Sequence, residues 1–174
     1  MTSKSIRQTE GPVQLHLFEK DPLSNVLGIF SNILVANHLR AILNKVVRRA
    51  MGKVVTPIIE VTFSLHEKED EMRKIPEFTN VSEVKVEDAR DLYIEELWLK
   101  GSYLEESEEY RKFITDPKTA GKMKFIALTY RDKVYYLNSD ARLYTRQASD
   151  IKSDYRDIYE ITRRLYDVGA VKFY

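Results

Sequence analysis

The 174-residue chain contains no cysteine, so disulfide bridges and thiolate metal ligands are excluded outright. Glutamine is almost as scarce, with only Gln8, Gln14 and Gln147. No run of about 18 or more apolar residues is present, and no segment is expected to span a bilayer. Residues 1–7 lack the apolar stretch of a secretory signal, which makes a cytoplasmic location the expectation. The glycines, Gly11, Gly28, Gly52, Gly101, Gly121 and Gly169, are isolated, so no phosphate-cradling loop of the dinucleotide or P-loop kind can be written. The G-x-S-x-G and H-E-x-x-H patterns are missing too. His16, His38 and His66 fall in separate segments without ligand spacing, and neither a metal nor another cofactor is expected.

What is present is an ordinary globular composition, 43% hydrophobic and 32% charged, in a chain long enough for one domain that buries about 70% of its unfolded surface. Abundant Lys, Arg, Asp, Glu and Tyr beside few Gln is a profile that high-temperature proteins favour, because the desolvation cost of ion pairs falls on heating. The charges are sorted into blocks. Residues 83–109 net −7 and residues 110–146 net +6, inside a total of +1. Such a dipolar chain offers two faces that recognise opposite charges in a second copy, a basic protein or a polyanion, unless the blocks pair with each other.

The element pattern predicts a single α+β domain over 1–174 with a loose tail at about 1–11. Its expected architecture is an antiparallel sheet, made of a C-terminal three-stranded meander plus N-terminal strands, packed with a long N-terminal helix and a C-terminal amphipathic helix. Val13, Leu15 and Leu17 alternate as a first strand. Asp21-Pro22 then caps an expected helix from Leu23 to Ala50, either bent near 35–38 or split there into two short helices, and ended by Gly52. Residues 58–65 alternate as a strand after Pro57, and 66–74 read as a solvated excursion with room for one helical turn or two. Residues 84–100 fit both periodicities, with a lean toward helix or a strand–helix mixture. Ser102-x-x-Glu105 has the form of a capping box and predicts a helix through about Thr115, before Asp116-Pro117. The meander is expected at Phe125–Tyr130, Val134–Leu137 and Leu143–Thr145, the C-terminal helix over Ser149–Val168 up to Gly169, and a last short strand at 171–174.

Three surfaces stand out as sites. Tyr130, Arg131, Lys133, Tyr135, Arg142, Tyr144 and Arg146 interleave rings and cations, the pairing that binds single-stranded RNA or DNA by stacking and phosphate neutralisation. Ile29, Phe30 and Ile33 belong to a helix apolar nearly all round, which is either buried centrally or meets a second copy in a homodimer. Glu105, Glu106 and Glu109 form an acidic docking face or simply answer the positive end of a helix dipole. The expectation is a non-enzymatic accessory or assembly subunit, homodimeric, of a larger complex that handles nucleic acid. One alternative is a metal-dependent nuclease using Glu77, Glu83 and Lys85 in an E-x-K arrangement; another is a purely protein–protein interaction module.

Overall fold

The computed structural model describes residues 14–17, 27–30, 38–43, 45–46, 61–90, 94–147 and 151–173. The chain divides into two compact units, Met1–Ile59 and Glu60–Tyr174. Among the described residues no helix is long and apolar enough to cross a membrane.

In the first unit, β1 (Gln14–Leu17) pairs antiparallel with β2 (Leu27–Phe30), in the register Gln14 to Phe30 and Leu17 to Leu27. The helix expected from Leu23 is therefore corrected at 27–30. Gly28 would cost a helix interior about 1 kcal/mol relative to alanine, and Ile29 and Phe30 suit a strand, so pairing with β1 wins there. Residues 38–43 and 45–46 are helical (α1), but Ile42 and Val46, two members of the expected buried stripe, are 41% and 53% exposed. The rest of the expected helix, including residues 35–37 of the break expected at 35–38, lies outside the described residues.

The second unit is built on a five-stranded antiparallel sheet in the order β5-β4-β6-β7-β8. Its strands are β4 (Phe78–Ala89), β5 (Ile94–Lys100), β6 (Lys122–Tyr130), β7 (Lys133–Asn138) and β8 (Leu143–Thr145). The ambiguous stretch 84–100 is thus strand wherever it is described, apart from the turn residue Arg90. Val84 and Val86 point into the core while Glu83, Lys85 and Glu87 alternate with them, which a helix could not satisfy. The meander forms as expected. Its first turn, Arg131-Asp132, has φ of 47° and 66°, the two positive values of a tight I′ hairpin.

β3 (Val61–Phe63) pairs antiparallel with β9 (Val171–Phe173). Within the stretch expected to be a solvated excursion, α2 (Glu69–Arg73) buries Glu69 and Met72. The capping-box expectation is also corrected. Tyr103 is left-handed at φ 54°, residues 104–106 form a 3₁₀ turn, and Ser107 rather than Ser102 caps α3 (Glu108–Tyr110) by accepting the Tyr110 amide at 3.1 Å. Glu105 instead accepts the Val81 amide of irregular strand β4 at 2.9 Å. A π-helical turn, Arg111–Thr115, follows α3.

α4 (Ile151–Asp167) ends where the sequence places its stop. Gly169 at φ 72° donates to Tyr166 O and Ala170 donates to Leu165 O, both at 2.8 Å, the two bonds of a Schellman cap. Ile161 and Leu165 of α4 join Val84, Val86, Ile126, Leu128, Tyr135 and Leu137 from one face of the sheet in the main core, with Tyr110 and Ile114. The opposite face carries a second, smaller cluster around Phe125, Ala127 and Tyr136.

Candidate functional site

Strand parity divides the expected nucleic-acid residues between the two faces. Tyr130 and Tyr135 lie on the inner face, fully buried, with rings edge-to-face at 6.2 Å. Their hydroxyls donate to Glu160 and Asp157 of α4, each at 2.8 Å. Arg131 reaches the same two carboxylates, at 3.3 Å to Asp157 and 2.7 Å to Glu160, and Lys133 reaches Asp154 at 3.0 Å. Asp154, Asp157 and Glu160 recur every three residues, so α4 presents them as one acidic edge to the hairpin turn. Burial and the Glu160 bond push the Tyr130 hydroxyl up to about 12, and burial with Asp157 pushes Tyr135 higher still. Burial pushes the Glu160 carboxyl up, yet the hydrogen bonds from Tyr130 and Arg156 and the charge of Arg131 together bring it below its ordinary range.

Tyr144 and Arg146 stand on the outer side with residues the periodicity had not singled out. Tyr136 stacks on Tyr144 at 5.1 Å and 9° between planes, and on Phe125 at 5.6 Å and 23°. Phe125 and Trp98 both register on Lys85, and their rings meet edge-to-face at 6.2 Å. The result is an aromatic row, Trp98–Phe125–Tyr136–Tyr144, from edge strand β5 to edge strand β8. Two cations lie over it, Lys100 at 4.4 Å from the Trp98 ring and Arg146 at 4.4 Å from the Tyr136 ring. Trp98, 48% exposed, is the open end of the row, whereas Phe125 and Tyr136 are buried. Arg142, the remaining member of the expected set, pairs with Asp140 at 2.7 Å beside the second turn of the meander.

The charge blocks pair with each other across this same face. Arg146 and Lys100 flank Glu83 at 3.8 Å each, Lys124 meets Glu87 at 3.4 Å, and Lys122 meets Asp88 at 3.3 Å. Part of the sorted charge is therefore internal neutralisation, the acidic strand β4 lying directly beside the basic strand β6. Glu106 and Glu109 are exposed, while Glu105 is turned to β4. Ile29 and Phe30 lie in β2, and Ile33 is outside the described residues.

The E-x-K set is not gathered. Glu77 is held by Arg164 of α4 at 2.5 Å and lies six residues before Glu83, ahead of the irregular start of β4. Lys85 bridges Glu96 at 2.9 Å. Among the described residues no group of three or more acidic or imidazole side chains is disposed to hold a metal ion.

A concavity of about 310 Å³ lies between α2 and the start of β4, with Met72, Val81, Ile126 and Leu128 among its lining. Its buried carboxylate, Glu69, accepts from the Tyr110 hydroxyl at 2.8 Å and pairs with Arg73 at 2.8 Å. Burial pushes Glu69 above its ordinary value, opposed by those two partners, and burial beside Glu69 pushes the Tyr110 hydroxyl far up. With Glu69 and the Tyr110 ring buried and Arg73 at the surface, this triad ties α2 to α3. Comparison with family models, with curated proteins and with solved structures found no match to the chain.

Proposed function

We propose that the protein is a non-enzymatic accessory subunit that binds single-stranded nucleic acid on the outer face of its five-stranded sheet. The observation that carries this reading is the row Trp98–Phe125–Tyr136–Tyr144 with Lys100 and Arg146 over its rings. Bases stack on such a platform in any sequence, each contact contributing about 1–3 kcal/mol, and nearby cations meet the phosphates. Trp98 would receive the first base at β5 and Tyr144 mark the far end at β8. Arg131 and Lys133 now serve the fold, so the phosphate contacts fall to Lys100, Lys124 and Arg146. Glu83, Glu87 and Glu96 keep this face near neutral, which makes stacking rather than charge the main source of affinity.

The test is fluorescence anisotropy with labelled single-stranded RNA. Three phosphate contacts on a single strand predict a loss of affinity of about twentyfold between about 50 and 200 mM salt, a shallow slope for a nucleic-acid binder. Trp98→Ala weakens binding about five- to hundredfold at either salt. Absence of binding at the lower salt, or binding indifferent to Trp98, overturns the reading.

A further inference from the structure

Strand β5 is the outermost strand of the sheet, and among the described residues it is paired with β4 alone. Its hydrogen-bonding phase is set by Gly101, whose amide donates to Ser82 O at 3.0 Å. Antiparallel strands alternate bonded and non-bonded pairs, so Leu99 opposite Val84 and Leu97 opposite Val86 are the bonded pairs that continue this phase. The amides and carbonyls of Glu96, Trp98 and Lys100 consequently point away from β4, along the edge. The side chains of these three residues stand on the outer face and are open, Glu96 and Lys100 being 55% and 59% exposed.

We propose that β5 pairs antiparallel with β5 of a second copy about a twofold axis through Trp98, joining two five-stranded sheets into one. The segment Glu96-Leu97-Trp98-Leu99-Lys100 is complementary to itself when reversed. Trp98 meets Trp98, each Leu97 meets a Leu99 on the inner side, and each Glu96 faces a Lys100, twice, as an isologous interface requires. The outward-pointing backbone groups are those this register bonds. Within one chain Lys100 already lies 3.8 Å from Glu83 and Glu96 lies 2.9 Å from Lys85, so the new contacts complete a line of alternating charge, Glu83, Lys100, then Glu96 and Lys85 of the second copy. Centring the pair on Leu97 instead sets Glu95 against Leu99 and Glu96 against Trp98, with no ion pair. Charge complementarity therefore selects the Trp98 register. A strand edge of this length is a small interface, below about 1,200 Å², so association is weak and depends on concentration.

The test uses the full chain without nucleic acid, which separates this proposal from the binding reading. Sedimentation velocity over a range of concentrations shows a monomer–dimer equilibrium. Glu96→Lys or Lys100→Glu alone raises the dissociation constant at least about tenfold by opposing like charges, and the two together restore it. The chain has no cysteine, so a single introduced thiol reports the axis directly. Two Trp98→Cys chains place their Cα atoms about 5.5 Å apart, within disulfide reach, and oxidation yields a covalent dimer. A thiol introduced by Glu95→Cys lies far from its twin and yields none. A monomer at the highest soluble concentration, a dimer indifferent to both reversals, or equal cross-linking at 95 and 98 overturns the proposal.

Discussion

On the inner face of the sheet Tyr135 donates its hydroxyl to Asp157, whereas on the outer face its chain neighbour Tyr136 stacks between Phe125 and Tyr144. Arg131 and Lys133 likewise close ion pairs with α4, while Arg146 and Lys100 lie over rings on the outer side. Both faces draw on tyrosine, lysine and arginine. What separates them is the two-residue repeat of a strand and the docking of one helix: the face α4 covers turns every tyrosine hydroxyl into a buried donor that needs an acceptor, and α4 supplies acceptors at three-residue spacing. The outer face makes no such demand, so its rings stack on one another, with Trp98 open at one end.

The largest break between the faces is in packing. Leu137→Ala removes a fully buried inner-face side chain and lowers stability by about 2–5 kcal/mol in urea unfolding, with RNA affinity of the remaining native protein unchanged. Trp98→Ala does the reverse, costing stability under about 1 kcal/mol while removing most of the binding. A matching loss of stability in both variants would show that the outer row is simply a second core.

Adjacent tyrosines give a sharper and smaller contrast. Tyr135→Phe leaves Asp157 without its hydroxyl donor at a buried position and costs about 1–3 kcal/mol. Tyr136→Phe keeps the stacked ring and shifts stability by less than about 0.5 kcal/mol, with RNA binding retained. Equal losses at the two positions would contradict the division by parity.

Much of the fold was legible in the chain because several local signals agreed. In α4 the apolar arc and Gly169 point to one helix, and the meander combines β-branched and aromatic runs with short polar turns. Leu27–Phe30 misled because a dense apolar run satisfies a helical spacing by chance, and only the pairing with Gln14–Leu17 decides it. Residues 84–100 were ambiguous for the related reason that Leu92, Ile94 and Trp98 alternate as a strand would, while Ala89, Leu92, Tyr93, Glu96 and Leu99 after Asp88 fit a helix. The site was half legible. Alternation within β6 and β7 tells which residues share a face, but which face α4 covers is a long-range fact, so buried Tyr130 and Tyr135 were grouped with outward Tyr144. Trp98 was missed because its neighbours in the aromatic row belong to strands distant in sequence; the alternating Glu96-Leu97-Trp98-Leu99-Lys100 was the available signal. The charge blocks, conspicuous in sequence, turned out to be partly the two sides of one strand pair, Lys122 and Lys124 against Asp88 and Glu87.

The smallest effect, and the one that distinguishes the Tyr130–Glu160 tie from the Tyr110–Glu69 tie, is pH dependence. Glu160 is held below its ordinary value of 4.5, so the unfolded chain takes up a proton first as acid is added. Its contribution is present above that value and is lost as pH falls through the lowered native one. Glu69 is held above 4.5 by burial, so the native state keeps its proton longer; stability from this group is greatest below 4.5 and declines as pH rises through the raised native value. The stability difference between the wild type and Glu160→Gln therefore shrinks on acidification, whereas that between the wild type and Glu69→Gln moves against the wild type as pH rises. Urea midpoints from about pH 3 to about pH 7 follow both. Opposite slopes identify Glu160 as a carboxylate stabilised by the hydroxyl and guanidinium around it, and Glu69 as one that its burial disfavours. Parallel slopes would mean that the carboxylates of α2 and α4 meet the same environment, and the contrast between the two ties would fail.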